Sequence, residues 1–456
     1  MKAAQLELLE KTPVPAAILR LALPSMFAML VQVIYGLTDT FFIGRMGDAN
    51  MVAAIALAMP FTMLIQALGN IFAIGGASYI SRQLGAKNYD EAKRTTATVF
   101  YLSMLSGIIT TVAVFFLMKP VLTLLGTSPA TRGYTQAYLS ILTLFSFVQI
   151  LQVVLAGLIR SEGATRQAMN GIFIGTGLNI VLDYLFILRW GWGVEGAAWA
   201  TLAGNACGVV YYLFYFKGKR SLLSLSLRYW GPDKHMMFEV LAIGLPAALN
   251  ALIMSVSHIL TNNIAMRYGD ETIAANGIMM RIVGIVLFLI MGISQGYQPF
   301  AGYNYGAGNI KRLKKAFWVT LGYAVGVAVF FCCVFYLLSN QVFLWFLDNR
   351  EVARIGSLML RAFLIAIPLF GLHFTIAMTF QATGKALLAF MIVLARQCVL
   401  FIPFLFLFNA WWGFEGYIWA QPVADVTTVL LSVSLFVYFL RTLPNSRTAA
   451  ESFRPS

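Results

Sequence analysis

Three carboxylates stand inside long apolar stretches of this sequence: Asp39 in VIYGLTDTFFIG, Asp183 in LNIVLDYLFIL and Asp425 in ADVTTVLLSV. An ionised acid in such surroundings costs several kcal/mol unless it is paired, hydrated or protonated, so an acid kept there points to work done with charge. Asn179 precedes Asp183 by one helical turn and shares its face. With a rise of about 1.5 Å per residue, Asp39 and Asp183 reach one level on two outward-running segments, and Thr201 and Tyr138 reach it on two inward-running ones. Two carboxylates with amide and hydroxyl oxygens suit a hard monovalent cation, and burial with mutual repulsion lets the same acids carry a proton near neutral pH. The expected coupling site is therefore Asp39, Asn179, Asp183 and Thr201 with Tyr138 nearby, for Na+ or H+. Gln32, Tyr35 and Asp39 follow i, i+3 and i+7, one helical face that can line a cavity. Earlier in that segment Pro24 removes a backbone hydrogen bond and permits a bend.

The other polar residues in apolar stretches have more modest readings. Asp425 can be neutralised by Arg396 or Arg281 in a structural ion pair, and His258 and His373 are lone histidines that read first as hydrogen-bonded interior residues. Glu195 and Glu415 each lie two residues after a glycine in the first turn of a helix, where a carboxylate complements the helix dipole. Cys207, Cys332, Cys333 and Cys398 sit in apolar runs without CxxC or Cys/His spacing, so neither a disulfide nor zinc is expected.

The elements that position these residues follow from composition. Only 11% of the 456 residues are charged, against roughly 25% in a soluble domain, and 60% are hydrophobic, with a mean hydropathy of +0.79. A soluble enzyme and a disordered chain are both excluded. Apolar runs predict twelve membrane helices near 17–43, 51–80, 95–118, 134–159, 167–188 and 194–216, then 239–266, 273–303, 316–346, 357–382, 386–409 and 415–440. The first run is too long for a signal-peptide core and is expected to be retained. Of the 32 Lys and Arg, 22 lie on the N-terminal arm, even-numbered loops and C-terminal tail, 7 on the odd-numbered loops, and Arg281, Arg361 and Arg396 within spans. Both termini are therefore predicted cytoplasmic, and the net charge of +14 reads as topology, with no nucleic-acid partner needed.

The two halves read as one repeat. LALPSM at 21–26 matches IGLPAA at 243–248, LGAKN at 84–88 matches YGAGN at 305–309, and GVEGAAWA at 193–200 matches GFEGYIWA at 413–420. Six spans per repeat predict two six-helix bundles related by a pseudo-twofold axis along the membrane normal: an N-lobe of 1–216, a cytoplasmic linker of 217–238 and a C-lobe of 239–456. Residues shared by both halves then serve architecture, and polar residues present in one half only are the better functional candidates. Asp39 lies opposite Thr261 and Asn262, Asp183 opposite the apolar region around Phe404, and Asp425 opposite Asn205.

At this point the sequence resembles the multidrug and toxic compound extrusion (MATE) family, from about Leu19 to Leu440. The marks are LPSM around Pro24, TDTFFIGRMGD at 38–48, YISRQLGAKNYDEAKR at 79–94, IRSEGATRQAM at 159–169, LNIVLDYLFI at 178–187 and GVEGAAWAT at 193–201. The resemblance implies export of amphipathic, often cationic compounds against inward Na+ or H+ flow by a rocker-like switch. It implies a multi-pass protein of the bacterial plasma (inner) membrane, working as a monomer on small-molecule substrates and without a cofactor. Carried over by position, its N-lobe cation site falls on Asp39, Asn179, Asp183 and Thr201, with Tyr138 nearby and Pro24 as the bend. One branch of the family adds acids in the seventh and tenth helices, where this chain has His258 and His373. A flippase for a lipid-linked or other anionic precursor is the alternative, and it calls for a strongly cationic cavity. A prenyl transferase would need an Asp-rich motif to hold Mg2+ and pyrophosphate, whereas NIVLD has a lone Asp, and an ATP-driven pump would need a GxxxxGK[ST] loop, which the sequence lacks.

Overall fold

A computed structural model describes residues 2–218, 221–347 and 349–443; the side chains of Lys2, Ala3, Leu37, Asp39, Thr40 and Ala251 lie outside that description. No strand occurs among the described residues. In chain order the helices are α1 (Lys2–Glu10), α2 (Val14–Gly44), α3 (Ala49–Gly85), α4 (Tyr89–Leu124), α5 (Pro129–Leu144), α6 (Ser146–Ser161), α7 (Thr165–Asp183) and α8 (Gly193–Lys217), followed by α9 (Lys234–Ala265), α10 (Asp270–Gly306), α11 (Ile310–Leu337), α12 (Ser339–Phe346), α13 (Arg350–Ala382), α14 (Ala386–Leu394) and α15 (Ile402–Thr442). Two π-helical turns extend α7 through Tyr184–Arg189 and α14 through Ala395–Phe401.

Ten helical stretches among the described residues are long and apolar enough to cross a membrane, and α5 with α6, bent by 55°, forms an eleventh. The longest, Ala386–Thr442, contains a non-helical residue, Gly413 with φ 57° and ψ −127°, which divides it in two. Divided there, the described residues offer twelve candidate spans. The bend of the fourth falls at Phe145, where the Ser146 hydroxyl donates to the Gly107 carbonyl (2.8 Å) and the Thr111 hydroxyl donates to the Thr143 carbonyl (2.6 Å), giving freed backbone groups partners inside the bundle. The ninth expected run, 316–346, is broken at Leu338 into α11 and the short α12.

The duplication is written in the backbone as well as the sequence. Left-handed turns fall at matching places in the two halves: Gly47 with Gly269, Lys87 with Gly308, Gly163 with Gly384, and Gly193 (φ 55°) with Gly413 (φ 57°). Lys87, the one described non-glycine residue with positive φ, holds the place its counterpart gives to glycine, the residue for which that conformation is free of a Cβ clash. Beside the Gly193 and Gly413 turns lie exposed Trp190, Trp192, Trp411 and Trp412, the pattern of aromatic residues at a membrane–water boundary.

The chain forms two compact units. The first comprises residues 1–12 and 27–248, the second 13–26 and 249–456. Each half of the sequence thus gives the opening stretch of its first membrane helix to the other unit. Pro24 in α2 and Pro246 in α9 each precede such a change of unit by two residues. Within the first unit, Glu162 is fully buried and accepts hydrogen bonds from the Tyr215 hydroxyl (2.6 Å), the Ser221 hydroxyl (2.9 Å) and the Leu222 N–H (2.7 Å), while Gln5 of α1 donates to Tyr215 (2.8 Å). One carboxylate therefore fastens both the amino-terminal helix and the start of the segment joining the halves. Farther along, Arg94 donates to the Gly231 carbonyl (2.6 Å) and Tyr101 to that of Leu225 (2.9 Å), and the backbone N–H of Met236, helped by that of His235, holds the Asp233 carboxyl below the usual carboxylate range. Within the second unit, Gly292 and Gly296 of α10 lie so close to the Met26 and Ala22 backbone of α2 that an added Cβ would stand 2.6 Å from each Cα.

Candidate functional site

The cation-site candidates depend on how closely α7 and α8 approach. Glycines face one another across this pair: a Cβ on Gly175 would stand 2.8 Å from the Gly204 carbonyl oxygen, and one on Gly204 would stand 2.5 Å from that of Gly175. One turn away in sequence, Gly171 leaves room for the buried ring of Tyr212, whose hydroxyl donates to the Ala168 carbonyl (2.6 Å). Small residues at i and i+4 allow backbones to meet in an apolar medium, where packing and hydrogen bonds replace the hydrophobic effect as the driving force.

That approach seats Asn179 between its neighbours. With its amide oriented to match donors with acceptors, Asn179 Nδ2 donates to Asp183 Oδ2 (3.1 Å) and its Oδ1 accepts from the Thr201 backbone N–H (3.2 Å). The Thr201 hydroxyl in turn shares a hydrogen bond of 3.0 Å with the Tyr35 phenol of α2. Asp183 is fully buried, and Asn179 and Thr201 are 2% and 6% exposed. Three helices of the first unit are thus linked to a buried acid through Tyr35, Thr201 and Asn179. At Asp183 the α-helix passes into the π turn Tyr184–Arg189, a local widening of a kind often found at functional sites.

The remaining candidates are placed less completely. Tyr138 is buried on α5, a helix packed against α8. Asp39 belongs to α2, one turn past Tyr35, and its side chain lies outside the described residues. Gln32 is exposed on the same helix, and α2 runs through Pro24 as one continuous helix. Residue types and spacing pointed to Asn179, Asp183 and Thr201; they gave no sign of the π turn or of Tyr35 meeting Thr201. Glu162 drew no separate attention because it sits at a loop boundary, where a carboxylate reads as solvated.

The second unit holds a different buried acid. Asp425 accepts at Oδ1 from Arg396 Nε (2.9 Å) and from Gln421 Nε2 (2.9 Å), so of the two arginines considered from sequence, Arg396 is its partner. His373 is buried and its Nδ1 lies 3.2 Å from the Ser432 hydroxyl, the hydrogen-bonded interior position expected of it, while His258 is exposed on α9.

A model of the MatE family matches residues 24–185 and again 246–407, one copy in each half. The chain belongs to the MATE family. Its relatives include the multidrug export protein MepA of Staphylococcus saprophyticus, 32% identical over 445 residues, and MepA of Staphylococcus aureus, 32% identical over 443 residues, each alignment covering 97% of both chains. Among solved structures it superposes on a MATE protein in complex with MaL6 (TM-score 0.89, 24% identity, 98% of each chain) and on an outward-facing multidrug resistance MATE family transporter (TM-score 0.88, 24% identity, 99% of each chain). Those two likenesses concern the fold. As a MATE protein the chain is a multi-pass membrane transporter and not an enzyme.

Proposed function

We propose that this MATE protein expels multiple drugs, amphipathic and often cationic organic compounds, in exchange for inward-moving H+ or Na+. The observation that carries the reading is the buried contact chain Tyr35–Thr201–Asn179–Asp183 beside a π turn. A buried acid held by a neutral amide can bind and release a small cation or a proton. Asp39, one turn from Tyr35 on α2, supplies the second carboxylate, Tyr138 a further hydroxyl, and Na+, where it is the coupling ion, is held by Asp39, Asn179, Asp183 and Thr201. Occupancy biases the protein between outward-open and inward-open states in a rocker-switch cycle, with α2 bending near Pro24 and Gln32 lining the substrate route. The export activity named for the staphylococcal relatives over nearly the whole chain supports the drug-export part of this reading.

In this reading the protein works as a monomer in a bacterial plasma membrane with both termini cytoplasmic, which the 22-to-7 distribution of basic residues supports. The test is uptake of a fluorescent organic cation into inverted proteoliposomes under an imposed Na+ or pH gradient in separate runs. Acceleration by one gradient identifies the coupling ion. Transport that responds to neither, in protein shown to be folded and inserted, overturns the antiport reading.

A further inference from the structure

The amino-terminal ends of α4 and α11 are repeat partners with opposite chemistry. With LGAKN matched to YGAGN just before them, Asp90, Glu91, Lys93 and Arg94 stand opposite Lys311, Arg312, Lys314 and Lys315. In α4 the charges are satisfied within the first unit. Lys93 pairs with Asp90 (3.0 Å) and lies over the Tyr229 ring, 5.3 Å from its centroid, while Arg94 donates to the Gly231 carbonyl. Two turns on, Tyr101 donates to the Leu225 carbonyl and meets the Trp230 ring edge-on. The segment that follows α8 therefore lies across this end of α4. In α11 both acids have become bases. Lys311, Lys314, Lys315 and Trp318 follow i, i+3, i+4 and i+7, one helical face, and all four are exposed, Trp318 by 63%. Ile310, Leu313, Ala316 and Phe317 take the buried side of the same turns. The three lysines form no ion pair with a described residue. Arg312 is placed differently, over the Phe300 ring (5.0 Å), and Asn309 caps the helix by accepting from the Arg312 N–H (3.2 Å). What this face offers is thus three ammonium groups with an indole one turn farther along the helix. An exposed tryptophan on a membrane helix sits at the water boundary, which sets those lysines at the level of lipid phosphates.

We propose that this face of α11 binds one anionic phospholipid of the cytoplasmic leaflet, its phosphate held by Lys311, Lys314 and Lys315 and its glycerol and upper acyl chain lying against Trp318. Charge selects the occupant. An anionic headgroup neutralises lysines that the protein itself leaves unpaired, whereas a zwitterionic one brings an ammonium among three others. The stretch after α15 is the repeat counterpart of the segment that covers α4, but in residues 444–456 Arg447 and Arg454 outnumber Glu451, so it brings no negative charge to spare for the lysines. The first half has no equivalent site, because there Asp90 and the segment after α8 already occupy the matching positions. Only the choice of leaflet rests on the orientation in the proposed function; binding to the purified chain is read without it.

The probe is phosphatidylglycerol, compared with phosphatidylethanolamine of the same acyl chains, each titrated into the purified full chain in detergent and read by native mass spectrometry. The first phosphatidylglycerol is expected to bind at least about 10-fold tighter, since each lysine near an anionic surface is worth about 5-fold. In Lys311→Gln/Lys314→Gln/Lys315→Gln protein, altered only at exposed positions, that preference is expected to fall by about 5-fold or more. Lys93→Gln, at the paired position of the first half, is expected to keep it. No preference in the unaltered protein overturns the proposal, as does a preference that the triple variant retains in full or that Lys93→Gln protein loses equally. A chain ending at Leu443 separates the two occupants. Unaltered phosphatidylglycerol binding by that chain supports the lipid, and a preference found only after the shortening gives the face to residues 444–456 and overturns the proposal.

Discussion

Inside its apolar helices each unit of this transporter buries a carboxylate that the repeat does not require, Asp183 in the first and Asp425 in the second, and the two are solvated differently. Asp183 is met by the amide of Asn179, itself tied to the Thr201 backbone, and through that to Tyr35; Asp425 is met by the cation of Arg396 and the amide of Gln421. Asp425 has a guanidinium within its own contacts as counter-ion, whereas the contact from Asn179 brings Asp183 a neutral donor. The sites differ in packing for the same reason. Glycines at 175 and 204 close α7 onto α8 around short polar side chains, while the matching stretch of the second half opens into a π turn that carries an arginine. In the proposed reading, coupling is the work of the first unit.

The largest expected effect breaks this contrast if it is wrong. Asp183→Asn is expected to abolish gradient-driven efflux, leaving about 1% or less of the rate, because losing the charge of a coupling acid removes the ion's principal attraction. Asp39→Asn should do the same, and Asp425→Asn should leave the dependence on the gradient in place. Proteoliposome transport with folding checked by gel filtration reads all three. Near-normal coupled export by folded Asp183→Asn protein, or loss of gradient dependence in Asp425→Asn protein, would reverse the assignment of the two acids.

Next in size is the cost of breaking the Arg396–Asp425 pair one side at a time. Arg396→Gln alone strands a carboxylate that is 2% exposed, and truncating one partner of a buried pair costs about 3–5 kcal/mol. The doubly neutral variant should recover most of that loss in a thermal or denaturant unfolding assay. Additive losses instead of recovery would mean that Arg396 and Asp425 are held by other partners and that the pairing is incidental.

Much of this contrast was legible before any coordinates. Acids at Asp183 and Asp425 stand out because an apolar helix has few reasons to keep one, and the i, i+4 spacing alone put Asn179 on the face of Asp183. The duplication was legible because its turns demand left-handed backbone, which leaves glycine or a small polar motif at fixed places such as Gly193 and Gly413. Less visible were features set by three-dimensional packing. The π turns have no residue signature of their own, and the bend at Phe145 lies in an unbroken apolar run. Which arginine meets Asp425 depends on how α14 and α15 lie, and the burial of Glu162 depends on a joining segment folding back onto it. The exchange of residues 13–26 between units follows a helix that looks uniform in sequence.

Close packing around Asp183 sharpens the comparison further. Gly175→Ala puts a methyl group 2.8 Å from the Gly204 carbonyl oxygen, so α7 and α8 must separate. Overpacking of this kind costs about 1–3 kcal/mol. The expected signature is a weaker response to the coupling ion together with lower stability, because separation stretches the Asn179 contact to the Thr201 backbone. The second half already carries alanine at Ala424, near the place equivalent to Gly204, so Ala424→Gly should leave ion coupling unaltered. A Gly175→Ala protein that loses stability but keeps full ion response would show that the Asn179–Thr201 contact is not part of the coupling site.

The smallest effect tests the outermost member of the first-unit chain. Tyr35→Phe deletes one hydrogen bond to the Thr201 hydroxyl, worth about 0.5–1.5 kcal/mol, and leaves the ring in place. Coupling-ion affinity, read from the ion concentration giving half-maximal efflux, is expected to weaken by about 2- to 10-fold while the maximal rate is retained. The direction follows from what Thr201 does: its hydroxyl is one of the oxygens offered to the ion, and Tyr35 fixes its rotamer. Unaltered affinity would confine the ion to Asp183, Asn179 and the neighbouring acid, whereas a collapse as large as that of Asp183→Asn would move Tyr35 from a positioning residue into direct contact with the ion.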